Sequence, residues 1–222
     1  MRILITAGST EVPIDTVRSI TNIFKGKTGA QIANHFGCHD HEVTLLTSGQ
    51  PIGMDDSGAE FLPLAKWLKF KTFDELAELM EQEIRGGNYD VVIHSAAVSD
   101  YNVAKVFTDD CDDPVGEGGG KIASTYDRLY LELTPTPKLV DKIRDQWSFK
   151  GKLVKFKLQV GISDEKLIEI ALKSMTDSGA DFIVANCFEW YREYAYIIDT
   201  DGNLARVARP NLPAELLWRL VG

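Results

Sequence analysis

The chain opens "MRILITAGSTEVPIDTVRSITNIFKGKTGAQIANHF", residues 1–36, and the reading of this stretch decides the fold. Residues 2–7 (RILITA) are a short β-branched run stopped by Gly8, the pattern of a buried strand feeding a tight turn. Residues 28–36 place Ala30, Ile32, Ala33 and Phe36 on one helical face. A buried strand, a polar passage and an amphipathic helix are the first unit of an α/β chain. The polar passage contains Gly26-Lys27-Thr28, which looks like the end of a nucleotide-binding P-loop. That motif needs a glycine five residues before Gly26 and a strand directly upstream. Position 21 is threonine, and the strand ends about twenty residues earlier, so both conditions fail. The dinucleotide fingerprint G-x-G-x-x-G fails as well, because the turn after the strand, residues 8–13, holds one glycine and a proline. Gly26 and Gly29 flank a helix start whose free N–H groups attract anions, and Lys25 and Lys27 add charge. A phosphate site and a plain capped helix with two solvated lysines both fit.

The rest of the chain continues the alternation. Residues 42–47 (EVTLLT), 67–70 and 90–94 (DVVIH) read as strands. Thr72, with Glu75 at capping-box spacing, starts a helix striped by Phe73, Leu76, Leu79, Met80 and Ile84 and ended by Gly86 and Gly87. Residues 50–58 read as a loop. Residues 95–128 read as a long irregular stretch, too long for a mere connection and therefore a candidate functional segment. Strands at 129–133, 153–158 and 181–185 and helices at 138–146 and 164–177 follow. A hairpin over "YAYIIDTDGNLARVA", turning at Asp201-Gly202, and a short helix after Pro213 close the chain. The expected fold is α/β: a mostly parallel, Rossmann-like three-layer sheet with helices on both faces plus a C-terminal hairpin, in a single domain spanning 1–222.

Composition narrows the function. Lys and Arg total 24 against 33 Asp and Glu, a net charge of -9. That balance argues against nonspecific nucleic-acid binding, which needs a basic surface, but leaves room for a basic pocket. Cys38, Cys111 and Cys187 form neither a CxxC pair nor a disulfide framework, so a reducing cytoplasm is the expected setting. No apolar run reaches the roughly 18 residues of a membrane span. The sequence names no metal ligands.

Five segments, in order, resemble one family, the phosphopantothenoylcysteine synthetases, or phosphopantothenate–cysteine ligases. They are "ILITAGSTEVPIDTVRSITNIFKGKTG", "VVIHSAAVSDYNV", "GGGKIAST", "LELTPTPKLVDKI", and "LVKFKLQV" followed by "GADFIVAN". Together they run from residue 3 to 186. The F-K-L version and the length look most like the free-standing bacterial type, without a preceding flavin-dependent decarboxylase domain. The resemblance implies a ligase that joins 4'-phosphopantothenate to cysteine in coenzyme A synthesis. A nucleoside triphosphate, CTP rather than ATP in most bacteria, activates the carboxylate as an acyl nucleotidylate with loss of pyrophosphate. It also implies a Mg2+ requirement and a homodimer.

The resemblance assigns catalytic roles to Asn22 and Lys121. An amide at Asn22 donates to an acyl or phosphate oxygen without adding charge. Lys121 follows three glycines in a loop that can close over a triphosphate and offset developing charge. His94, Ser95, Ala96, Asp100, Pro137, Lys138, Leu139, Val140, Phe156 and Lys173 are implied in nucleotide binding, with Lys121. Gly8, Ser9, Thr10, Gly26, Ala97, Asn186 and Asn22 are implied in substrate binding. Without the resemblance, His94 reads as a cleft or core histidine or as a general base, Asp100 as a loop aspartate, and Phe156 as core. Four positions depart from the family. Lys25 and Gly26 replace serines, Ser178 stands where a lysine is common, and Cys187 replaces an aspartate. Lys173 is the nearest substitute for the missing lysine. The rival functions are an NAD(P)-dependent oxidoreductase, which the glycine pattern opposes, and a noncatalytic nucleotide-binding homologue, which the departures leave open.

Overall fold

The computed structural model describes residues 1–49, 64–109, 114–115 and 120–222. The loop expected at 50–58 and Cys111 lie outside the described residues, as do most of the acidic and glycine positions of the 109–120 run.

The first strand, β1 (Arg2–Ala7), is apolar on both faces because helices cover both. It is followed by a small antiparallel pair, β2 (Glu11–Pro13) and β3 (Ser19–Thr21), before the chain enters α1 (Lys27–Gly37). That inserted pair is why no glycine signature follows β1: the crossover to its helix is long and carries structure of its own. Strand β4 (Glu42–Thr47) pairs parallel to β1, and β5 (Lys66–Lys69) pairs parallel to β4. Helix α2 (Phe73–Gly86) starts at the expected capping box: Thr72 Oγ1 accepts from Glu75 N at 3.3 Å, and Glu75 Oε2 accepts from Thr72 N at 3.3 Å. Its end departs from the left-handed glycine cap, since Gly87 stays right-handed. The absent Cβ there makes room for the Tyr89 ring, 2.2 Å from where it would stand.

Strand β6 (Val91–His94) returns to the sheet beside β1. The stretch expected to be irregular from 95 to 128 contains a strand, β7 (Tyr101–Thr108), which pairs antiparallel with β8 (Leu129–Pro135). The pair is a separate two-stranded ribbon, with a register shift between Val103 and Lys105. Its faces lack the clean alternation of a half-buried strand, which is why periodicity did not reveal β7. Helix α3 (Leu139–Asp145), strand β9 (Lys152–Gln159), helix α4 (Asp164–Ser178) and strand β10 (Phe182–Cys187) complete the parallel part. The tail hairpin, β11 (Tyr194–Asp199) and β12 (Leu204–Ala208), adds two strands antiparallel to their neighbours at one edge. A 3-10 turn (Arg209–Asn211) then leads into α5 (Leu212–Val221).

The sheet order is β12-β11-β10-β9-β6-β1-β4-β5. Its parallel strands run outward in both directions from β1 and β6, the doubly wound order with its switch point between those two strands. One core lies under α2, α3 and α4 and includes Leu4, Val92, Leu153, Ile183 and Ala185. The other lies under α1 and α5 and includes Ile3, Ile93, Val154, Val184 and Leu216. Because side chains alternate along a strand, this division fixes which face each neighbouring polar residue takes.

Candidate active site

A cleft of about 930 Å³ opens at the carboxyl ends of β1, β6, β9 and β10, over the switch point. Among the described residues, seven cationic side chains line it, those of Lys25, Lys27, Lys138, Lys155, Lys157, Arg192 and Arg209, against a single carboxylate, Asp100. In a chain of net charge -9, this concentration marks a place built for a polyanion.

The α1 wall is assembled backbone on backbone. Gly26 caps α1 with φ of 81°, and a Cβ there would stand 2.2 Å from the amide nitrogen of Gly8. Only glycine combines that left-handed conformation with so close an approach. Gly29, one turn into the helix, lies against Ala7 and Ser95 just as tightly. The inserted β2–β3 pair thus delivers the helix start to the end of β1 by another route than a glycine-rich turn. Lys27, Thr28 and Gly29 line the cleft, and no side chain caps the helix. Its first amides remain available to an anion.

Thr6 organises the floor. Its hydroxyl bonds His94 Nδ1 at 2.9 Å and accepts from Ala96 N at 3.1 Å, while its carbonyl accepts from Ser95 Oγ at 2.6 Å. Burial, reinforced by the Lys155 charge, pushes His94 down to about 4. The imidazole is neutral at pH 7 and fastened to Thr6, a floor residue rather than a strong base. Ala97 N donates to Gly8 O at 2.7 Å, tying the segment after β6 to the turn after β1.

Two groups of cations stand on opposite faces of the sheet. Asn186 follows Phe182 and Val184 on the α1/α5 face. Its Oδ1 accepts from an Arg209 guanidinium nitrogen at 2.8 Å, and another Arg209 nitrogen donates to the Thr28 hydroxyl. Burial lowers the pKa of Arg209, since charge there is costly, while Tyr191 raises it. Lys155 and Lys157 follow Leu153 onto the α3/α4 face. Lys155 Nζ donates to Ser174 O at 2.9 Å and Ser178 Oγ at 3.0 Å, so its ammonium sits on the last turn of α4, where the helix dipole favours a cation. Burial pushes Lys155 down to about 8, with nearby Asp141 opposing and Lys157 and Lys138 reinforcing the shift.

Most residues singled out from the sequence come together here. Gly8, Asn22, Gly26, His94, Ser95, Ala96, Ala97, Asp100, Pro137, Lys138, Leu139, Val140, Phe156 and Asn186 all line the cleft. Ser9 and Thr10 do not: both are buried and hold the scaffold, Ser9 Oγ against Thr21 Oγ1 at 3.1 Å and Thr10 Oγ1 accepting from Ser99 N at 2.9 Å. Lys173 is also elsewhere, on the exposed face of α4, paired with Asp177 at 2.9 Å. One residue of helical rotation explains the difference, because Ser174 lines the cleft and Lys173 does not. Lys121 is exposed and outside the lining, but its neighbour is pinned. Ile122 N donates to Asp15 Oδ2 at 3.1 Å, and Arg18 donates to Ile122 O at 2.5 Å.

Sequence reasoning gave no role to Lys155, Lys157, Arg192 or Arg209. The K-F-K run at 155–157 carried a usable signal, since alternation puts both lysines on one face of a strand that ends at the cleft. Arg209 carried none, because it reaches the cleft only through the tail hairpin.

These features define a doubly wound α/β domain with a polyanion-binding crevice at its switch point. Comparison with known proteins identifies which. The family model "DNA/pantothenate metabolism flavoprotein C-terminal domain" matches residues 1–211, and the chain belongs to that family. It is 34% identical over 224 aligned residues to the coenzyme A biosynthesis bifunctional protein CoaBC of Thermococcus kodakarensis, covering 98% of this chain and 50% of that protein. It is 27% identical over 186 residues to the CoaBC protein of Methanocaldococcus jannaschii, covering 83% of this chain and 40% of that one. The chain therefore spans about half or less of these two relatives. Among solved structures, the DNA/pantothenate metabolism flavoprotein from Streptococcus pneumoniae superposes with a TM-score of 0.83 at 28% identity, covering 99% of this chain and 97% of that one.

Proposed function

We propose that this chain is a phosphopantothenate–cysteine ligase acting in coenzyme A biosynthesis. The observation that carries this reading is the pair of cationic groups on opposite faces of the sheet, joined in one cleft at the carboxyl ends of its strands. A ligase that activates one phosphorylated acid with a nucleoside triphosphate must hold two separate polyanions with their reacting ends together. A nucleotide-binding regulator needs one such group, and a hydride-transfer enzyme needs neither wall in this form. The coenzyme A proteins to which the chain is similar support the same pathway.

The chemistry needs no protein nucleophile. The substrate carboxylate attacks the α-phosphate and pyrophosphate leaves. The cysteine amine then attacks the acyl carbon, and the nucleoside monophosphate leaves. Catalysis is positioning and charge stabilisation. Lys138, Lys155 and Lys157 hold the triphosphate and the backbone at 94–96 lines the nucleotide pocket, while Phe156, which alternation turns to the α1/α5 core, faces the opposite wall. Asn22, free of strong internal bonds beyond Phe24 N at 3.4 Å, donates to the reacting acyl or phosphoryl oxygen. Lys121 closes over the phosphates from its segment pinned at Ile122. Mg2+ fits as an ion carried in on the triphosphate, because such ions take few protein ligands and Asp100 is the carboxylate available in the cleft. The nucleotide is CTP, as the family resemblance implies, and the setting is the cytoplasm. No helix among the described residues is long and apolar enough to cross a membrane. A homodimer is part of this reading: the β7–β8 ribbon exposes half of Tyr101, Tyr130 and Leu133, and a lone two-stranded ribbon needs a covering surface. Light scattering giving twice the mass of one chain tests that point.

Pyrophosphate release tests the activity. With Mg2+, release requires 4'-phosphopantothenate and CTP, and cysteine makes it sustained. Folded protein that releases none with either CTP or ATP contradicts the reading.

A further inference from the structure

We propose that Arg209 is the specificity residue by which the cleft tells a phosphorylated acid from its unphosphorylated counterpart. The proposal rests on the ligase reading and adds to it a residue and a wall. Arg209 donates to Asn186 Oδ1 at 2.8 Å and to the Thr28 hydroxyl, both neutral acceptors. Among the described residues no carboxylate pairs with it. Other part-buried arginines differ. Arg144 has Asp181 at 2.7 Å, and Arg219 has Glu215 at 2.8 Å. A guanidinium partly withdrawn from water and fixed by neutral partners is oriented but uncompensated, and an incoming anion completes it.

The fork is built for phosphate. Two of its five N–H groups are spent on Asn186 and Thr28, which fix its plane, and the rest remain for a planar, charge-assisted contact. Its backbone is anchored too, since Arg209 N donates to Glu193 O at 2.8 Å and Pro210 follows. Thr28 lies in the first turn of α1, so a phosphoryl group on Arg209 also meets the open helix start beside Gly26. This group stands on the α1/α5 face, whereas Lys155 and Lys157 stand on the α3/α4 face. The phosphate assigned here is therefore that of the acid, not the triphosphate.

The test is calorimetric binding of 4'-phosphopantothenate and of pantothenate to the full chain, with melting curves to check folding. The wild type prefers the phosphorylated acid. Arg209→Gln weakens phosphopantothenate binding by roughly 10- to 100-fold, the loss of a charged hydrogen-bonding group, and leaves pantothenate within about twofold. Arg209→Lys keeps charge without the fork and falls between. If Arg209→Gln does not fold, Arg209→Lys alone decides, and an unchanged preference in it overturns the proposal. A folded Arg209→Gln protein with undiminished preference also overturns it while leaving the ligase reading intact, provided the wild type still turns over. A folded wild type that binds neither acid and releases no pyrophosphate overturns both.

Discussion

The two walls of the cleft are both cationic, by different means. On the α1/α5 side the fastened cation is a guanidinium locked by Asn186 and Thr28, beside a helix start that carries Lys25 and Lys27 and is pressed onto Gly8 and the end of β1. On the α3/α4 side the cations are lysines, one half fastened to the end of α4 and the others reaching from β9 and the start of α3. A fork holds one phosphoryl group in one orientation, while ammonium groups on flexible stems follow a longer polyphosphate as it reacts. The contrast suits a reaction in which the acid stays and the nucleotide changes from triphosphate to acyl nucleotidylate to monophosphate.

Breaking the rigid wall has the largest effect. Gly26→Ala puts a Cβ into the Gly8 backbone at a left-handed position, so the α1 start must move. Thermal melting is expected to show a loss of about 1–3 kcal/mol, and kcat/KM for phosphopantothenate to fall by about a hundredfold or more, since a misplacement of an ångström is enough. Retained activity with normal melting would mean that the contact between the two glycines does not set the wall.

The lysine wall is distinguished by pH. Lys155 titrates near 8, below its ordinary value of 10.5, so the cleft loses a charge as pH rises past about 8. Nucleotide KM is expected to increase between pH 7 and 9 in the wild type and to lose most of that dependence in Lys155→Met. Stability runs the other way. The unfolded chain holds the Lys155 proton up to about 10.5 and the folded chain only to about 8, so this residue makes stability rise with pH across that window. The opposite slopes, read by KM and by denaturant titration on one protein, separate the two effects.

The smallest effect is a control. Thr72→Ala, at a residue outside the cleft lining, removes the capping box of α2 and is expected to cost about 1 kcal/mol with both KM values unchanged.

Much of this contrast was already legible in the sequence, but unevenly. Among the described residues, apolar runs and helical stripes located the strands of the parallel sheet and the α-helices, because nearly all of these elements bury continuous faces; β5, mostly exposed at the sheet edge, is the exception. Ribbon strand β7 escaped, as did the short β2–β3 pair, because nearly all of their residues remain at least partly exposed and their pairing is local to small sheets. Motif resemblance located the floor and the α1 start, where backbone geometry constrains residue type. It did not separate Ser9 and Thr10, which support the turn from behind, from Gly8, which faces the cleft. Nor did it reveal the charges. Lys155 and Arg209 act from positions that only the sheet register and the hairpin path bring to the crevice, and Lys173 missed it by one residue of helical rotation.

The division between the walls is tested most directly by steady-state kinetics of Arg209→Gln and Lys157→Gln with both substrates varied. The account predicts a crossed pattern. Arg209→Gln raises KM for phosphopantothenate by about tenfold or more with little change for the nucleotide, and Lys157→Gln does the reverse. Equal effects of either substitution on both substrates would contradict it, and would mean that the cleft holds one shared anion site.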